Sequence, residues 1–264
     1  MLQAEHFLQE AETLAGLIDY QPSNIFETTT LFKGWTINDV IGHLYLFDKA
    51  AIKALRDDHL FHDFLSPVIL GLNEGKSLLE IQGSVLGELN GQALFKMWRK
   101  NAKALGQAYA RADPKQRIKW VGPEMSALSC ITARQMETWA HGQEIFDVLG
   151  QTRQEGDRIK NICHLGVMTY QWTFINRQLS VPAPVPFVQL IAPSGQIWEW
   201  NNPEADTSVK GSAVEFSQVV TQVRNVHDTK LETIGEPAAL WMSLAQCFAG
   251  KPEMPPKEGS RFKA

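Results

Sequence analysis

Cysteine is scarce in this chain, with three in 264 residues, and Cys130, Cys163 and Cys247 form no Cys-x-x-Cys pair. An odd, dispersed set embedded in apolar patterns argues against a disulfide framework and favours a reducing compartment. Long hydrophobic runs are missing too: no window approaches the roughly 18 uncharged apolar residues that a membrane span requires. The opening stretch MLQAEHFLQEAETLAGLID carries acids where a secretory leader needs a basic start, so it reads as a first helix and the protein is expected in the cytoplasm. There is no basic excess either. A formal charge of -4 argues against a phosphate-driven nucleic-acid binder, and no partner of that kind is expected. Walker loops, GxGxxG, GxSxG and HExxH are all absent.

What is present is helical periodicity, with apolar residues at intervals of three and four from Met1 to about Leu179. After a helix over Leu2 to Asp19, a second starts at GWTINDVIGHLYLFDKAA, where Thr36 is the expected N-cap and Asp39 its capping-box partner. Its inward stripe is Val40, His43, Leu44, Phe47, Ala51 and Leu55. The stretch from His59 to Asn90 is interrupted by Pro67, Gly71 and Gly75, which predicts short helices making an excursion between bundle helices. GQALFKMWRKNAKALGQAYARAD gives a third long helix. ITARQMETWAHGQEIFDVLG gives a fourth, stopped by Gly150, and GDRIKNICHLGVMTYQWTFINRQL a fifth.

Three prolines in SVPAPVPF, Ser180 to Phe187, break this pattern and predict a domain boundary, with residues 1–180 a helix bundle and 181–264 a small α+β domain. In the second part FVQLIAPSGQIWEWNN reads as a hairpin, TSVKGSA and KLETIG as further strands, and AVEFSQVVTQVRN and PAALWMSLAQCFAG as helices.

His43 is out of place on an apolar stripe, since a buried imidazole needs a partner. It reads either as a core histidine bonded to a carbonyl or carboxylate, or as a ligand. Glu137 and His141 lie four residues apart and so share one face of the fourth helix, with Glu144 on the same stripe. Such a pair can hold a zinc-like ion, with His43 as the natural third ligand and an open position left over. The competing reading is a wet face: Met136, Trp139, Phe146 and Leu149 gather opposite, as a core stripe would. The spacing is also cheap, because Asp39 precedes His43 and Asp58 precedes His62 by the same four residues. Among the remaining residues, Cys163 reads as core, His164 as a pocket residue, Arg224 as an anion binder, and His59 and His62 as surface groups.

Two of these segments carry a family resemblance. GWTINDVIGHLYLFDKAA resembles the opening of the second helix in DinB-like bundles, in particular the N-terminal domain of mycothiol-dependent maleylpyruvate isomerases, and ETWAHGQEIFDVLG resembles that family's Glu-x-x-x-His helix. GDRIKNICHLGVMTYQWTF, VKGSAVEFSQVVTQVRN and WMSLAQCFAGKPEMP resemble a group of uncharacterised bacterial proteins of this length, some loosely named for wyosine base formation. The resemblance implies a mainly α fold, a DinB-like four-helix bundle with added helices followed by a small α+β domain. It implies that His43, Glu137 and His141 bind a divalent metal, zinc first, although nickel, iron and manganese accept the same donors.

The implied activity is thiol-dependent S-transferase or isomerase chemistry on a small electrophilic substrate, with a low-molecular-weight thiol as cosubstrate. His164, Arg224 and Glu144 are then substrate-binding candidates, Arg224 for a carboxylate. A non-catalytic bundle that binds a metal or ligand as a stress or regulatory factor is the alternative. A homodimer through the bundle helices is compatible with either. The wyosine label gains no support, because the chain has neither the cysteine cluster of a radical iron-sulfur enzyme nor a basic stripe.

Overall fold

The computed structural model describes residues 1–121 and 124–261, which divide into two compact units, Met1–Leu149 and Gly150–Ala264. In the first unit four long helices make the bundle: α1 (Leu2–Asp19), α2 (Ile37–Arg56), α5 (Gly91–Ala110) and α6 (Ala127–Val148), with α3 (Asp58–Asn73) and α4 (Leu78–Leu86) inserted between α2 and α5. Helix α1 packs on α5 and α6, and α2 on α5 and α6, so each bundle helix has two neighbours. A two-residue ribbon, β1 (Arg117–Ile118) with β2 (Met125–Ser126), leads into α6. The core is filled by large side chains that are fully buried, among them Phe7, Leu14, Ile41, Leu44, Phe95, Trp98 and Tyr109.

Local chemistry sets where α2 begins, and with it the height of His43. The Thr36 hydroxyl accepts from the Asp39 N–H at 3.2 Å while the Asp39 carboxylate accepts from the Thr36 N–H at 2.8 Å, closing the expected capping box. Replacing Thr36 with alanine is expected to cost about 1 kcal/mol, read by urea unfolding.

The excursion differs from its sequence reading. Pro67 does not break α3, which continues through it to Asn73. A proline leaves the carbonyl four residues back without its N–H, and here the Ser66 hydroxyl donates to that carbonyl, Asp63 O, at 3.1 Å. At α4 an intact capping box joins Ser77 and Glu80, and the helix lies close enough to α3 that a Cβ on Gly71 would meet Ile81 Cγ1 at 2.6 Å.

The second unit holds α7 (Lys160–Met168), α8 (Tyr170–Ile175), α9 (Ala213–Val220), α10 (Glu236–Leu244) and a four-stranded sheet. Its strands are β3 (Phe187–Ile191), β4 (Ile197–Trp200), β5 (Ser208–Ser212) and β6 (Glu232–Ile234), in the order β4-β3-β5-β6. The β3–β4 hairpin forms as read, with Val188 opposite Trp200, and β5 runs parallel to β3 with Val188 beside Val209. The compact units part at Leu149 and Gly150, ahead of the proline segment where the sequence places the boundary. The physical reason is that α7 packs on α9 and α8 on α10, so the fifth predicted helix shares a core with the sheet domain. That helix is also two pieces, parted near Thr169, not one. Close approach of α7 to α9 depends on Gly166, where a Cβ would meet Val220 Cγ2 at 2.8 Å.

Candidate metal centre

Helices α2 and α6 pack side by side, which brings the inward stripe of one against the Glu/His stripe of the other. His43 Nε2 lies 3.3 Å from Glu137 Oε2, and His141 Nε2 lies 3.3 Å from the same oxygen. One donor atom from each residue falls within 4.8 Å of the other two. A four-coordinate ion about 2.1 Å from each donor places neighbouring donors roughly 3.4 Å apart, so the two nitrogen–oxygen spacings already match that demand. The wet-face reading is therefore overturned for this stripe: His43 is 8% and His141 9% exposed, and Glu137 keeps 23% of its side chain accessible. The apolar residues opposite, Met136, Trp139 and Phe146, are buried too, because α6 is buried nearly all round.

The walls are aromatic. Trp35 stacks parallel to His141 with ring centres 6.2 Å apart, Phe32 meets the same imidazole edge-on at 5.0 Å, and Phe47 lies 4.7 Å from His43. Phe32 and Trp35 are presented by a tight turn in which the Trp35 N–H donates to Phe32 O at 2.9 Å. Its two central residues, Lys33 and Gly34, have φ of 51° and 72°, the signature of a type I′ turn, for which glycine is suited and lysine is strained. The Thr30 hydroxyl locks the loop by donating to Trp35 O at 2.8 Å.

Two of the three groups are shifted from their ordinary values. Desolvation pushes His43 down to about 4, against the hydrogen bond to Glu137 and assisted by the nearby His141, so its imidazole is neutral at pH 7. Desolvation alone would raise Glu137, but hydrogen bonds from His141 and His43 outweigh it and hold the carboxyl well below its usual value. A neutral imidazole and an ionised carboxylate are the forms in which these groups ligate metals. The Nδ1 atoms of His43 and His141 are buried and have no hydrogen-bond partner among the described residues. Both Nε2 atoms therefore carry the polar interactions of their rings, and both converge on Glu137.

Beneath the cluster lies a buried ion pair that the sequence reading missed. Arg134 Nε donates to Asp48 Oδ1 at 2.9 Å, with side chains only 3% and 0% exposed. Burial pushes the Asp48 carboxyl up to about 6 and Arg134 opposes that rise. The guanidinium also sits 6.0 Å over the Phe47 ring. The available signal was a charged residue on each of two otherwise apolar helix faces. For the aromatic walls there was only the Phe-Lys-Gly-Trp turn before Thr36.

The other candidates fall elsewhere. Glu144 is buried on α6 but is not among the converging donors. His164 is exposed on α7, its Nδ1 accepting from Trp200 Nε1 at 3.3 Å. Arg224 follows α9, is 4% exposed and donates to Val223 O at 3.1 Å. Cys163 is core as read: its thiol lies 3.3 Å from the Ser217 hydroxyl, and burial pushes it up to about 12. His59 and His62 are exposed.

Comparison with known proteins agrees with this architecture. The chain is 34% identical over 243 residues to two uncharacterized proteins of Mycobacterium tuberculosis, MT0041 of strain CDC 1551 / Oshkosh and Rv0036c of strain ATCC 25618 / H37Rv, covering 92% of this chain and 93% of each relative. The crystal structure of a mycothiol-dependent maleylpyruvate isomerase superposes with a TM-score of 0.55 at 14% identity, over 89% of this chain and 94% of that one. A histidine-to-alanine mutant of such an isomerase gives 0.52 at 14% identity, over 82% and 86%. At that identity the likeness is one of fold, a DinB-like bundle carrying a small sheet domain. The sequence pattern described as the mycothiol maleylpyruvate isomerase N-terminal domain matches residues 7–146, more than half of the chain, and on that match this protein belongs to that family.

Proposed function

We propose that this protein is a divalent-metal-dependent enzyme that joins a low-molecular-weight thiol to a small electrophilic substrate, as an S-transferase or a thiol-assisted isomerase. The observation that carries the reading is the convergence of His43, Glu137 and His141 from two helices into one aromatic-walled site. Both imidazole Nε2 atoms lie 3.3 Å from one Glu137 oxygen, an arrangement that suits three donors addressing a common centre. Zinc fits the two-imidazole, one-carboxylate donor set; nickel, iron and manganese fit it as well.

The chemistry supplied by a divalent ion at such a site is a lowered thiol pKa, which makes a nucleophile available near neutral pH. The chain's own residues do the rest. Glu137 contributes the negative charge that partly balances an ion, and His43 and His141 contribute imidazole nitrogens. Phe32, Trp35 and Phe47 restrict water and offer flat apolar surface to an unsaturated substrate. Glu144, His164 and Arg224 are proposed as substrate-side residues on their chemistry, Arg224 for a carboxylate. A reducing cytoplasm suits this reading, since the thiol must remain reduced, and the three cysteines are buried with no disulfide among the described residues.

Elemental mass spectrometry on protein purified without chelator tests the metal. Near one equivalent is expected in the native chain and almost none in His43→Ala and His141→Ala. Equal metal in native and variant proteins would sink the site. Loss of free thiol with electrophilic acids, dependent on the same residues, then tests the reaction class.

A further inference from the structure

Asn90 and Gly91 form the one Asn–Gly step in the sequence, and they stand at the joint where the inserted helices return to the bundle. In an open chain such a step is chemically unstable. Glycine carries no Cβ, so nothing shields its backbone nitrogen from the amide carbon of the asparagine before it. The Gly91 nitrogen gives up its proton and adds to Asn90 Cγ, the Cγ–Nδ2 bond breaks, and ammonia leaves with that proton. Water then opens the five-membered imide at either carbonyl, giving aspartate or isoaspartate.

The fold acts on this step at three atoms. The Gly91 N–H donates to Asn38 Oδ1 at 2.7 Å, across 53 residues of chain. The proton that must leave is thereby engaged by an oxygen whose partial negative charge disfavours the nitrogen anion, and the nitrogen is held toward α2. The backbone at Asn90 is extended, with φ -148° and ψ 175°. Ring closure needs Cβ and the Gly91 nitrogen nearly eclipsed about the Cα–C bond, which an extended ψ prevents. The Asn90 side chain is turned back along the chain, its Nδ2 donating to Glu88 O at 3.0 Å.

Exclusion of water plays no part in this. Asn90 is exposed, and although it is the N-cap residue of α5 its side chain makes no capping bond. Asn38, by contrast, is fixed in the first turn of α2, between the capping-box partners Thr36 and Asp39. The restraint on Gly91 is therefore a single long-range hydrogen bond between the starts of α2 and α5. A local opening that parts these two starts frees the step without unfolding the bundle.

We propose that Asn90 is the site at which this chain deamidates spontaneously, and that Asn38 holds the reaction off in the folded bundle. Its consequence falls beside the candidate metal centre. Isoaspartate lengthens the backbone by a methylene just ahead of α5, whose start is tied to the turn of α2 that precedes His43. The chemistry needs neither metal nor thiol, so it stands apart from the reaction assigned above.

Peptide mapping by mass spectrometry after incubation at mildly alkaline pH tests this, with conversion of Asn90 to aspartate and isoaspartate as the readout. In folded protein Asn90 is expected to convert ahead of every other asparagine, yet at least about tenfold slower than in the same chain held unfolded in urea. Asn38→Leu removes the acceptor and is expected to speed the folded reaction roughly fivefold, the equivalent of one lost hydrogen bond, while the rate in urea is unchanged. Asn38→Asp keeps an acceptor in that place and stays within about twofold of native. Ile18→Val, at a buried position on α1, loosens the same bundle away from this joint and leaves the rate at the native level. Folded protein that deamidates as fast as the unfolded chain, or first at another asparagine, overturns the proposal, and that comparison needs no variant. An Asn38→Leu rate equal to native, or matched by Ile18→Val, overturns the role given to Asn38.

Discussion

Replacing Arg134 with leucine is expected to remove about 3–5 kcal/mol of stability at pH 8, because it leaves the Asp48 carboxylate buried and uncompensated. The loss carries a pH signature. Asp48 titrates at about 6 in the folded chain against an ordinary 3.8, so the folded form holds the extra proton and stability falls as pH rises from 3.8 to 6, then levels off. Without Arg134 nothing opposes desolvation, the folded value rises further, and the decline continues above pH 6. The cost of Arg134→Leu is therefore small near pH 5 and large at pH 8, as urea unfolding at the two values would read. An equal cost at both would mean that Asp48 is not the group left stranded. Exchanging both partners for leucine is expected to recover most of the loss, since no lone charge is then buried.

Saturation with zinc is expected to raise the melting temperature by roughly 5–10 °C, the shift that corresponds to about 2.7 kcal/mol at a hundredfold excess over Kd. Glu137→Gln and either histidine-to-alanine change should cancel it. A rise that persists in all three variants would place the ion elsewhere. The state of His43 in metal-free protein is a separate check. With its value depressed to about 4, the folded chain prefers the neutral ring, so this group's contribution is fully present above pH 6.5 and is lost as pH falls from 6.5 toward 4. The His43 ring resonances should accordingly stay those of a neutral imidazole through pH 5.5. Titration near 6.5 would show that the site is wetter than the packing of Trp35, Phe32 and Phe47 requires.

Much of the bundle was legible because its signals are local. Thr36 and Asp39 announce the start of α2 through bonds made within four residues, and α1 runs from Leu2 to Asp19 as its periodicity predicts. Pro67 misled for an equally local reason: its penalty falls on a single carbonyl, and Ser66 supplies the donor that a reading of Pro67 alone does not count. The placement of the domain boundary misled differently. Prolines mark a break in the chain, whereas a domain is defined by which surfaces share a core, and α7 and α8 share theirs with α9 and α10.

The candidate site divides the same way. Sequence by itself determined that Glu137 and His141 share one helix face, because four residues is close to one turn, and that His43 is an intruder on an apolar stripe. It could not decide whether the Glu/His face of α6 looked at water or at α2, since both faces of that helix carry plausible contents and periodicity only separates them. Tertiary packing decided that: with α2 against α6, both Nε2 atoms come to 3.3 Å from one Glu137 oxygen, burial keeps the His43 ring neutral, and the hydrogen bonds from the two histidines hold the Glu137 carboxyl low. The buried Asp48–Arg134 pair and the Phe32 and Trp35 walls were likewise settled only in three dimensions. Charge pairing and ring stacking across helices join residues far apart in the chain, and no local pattern records such distances.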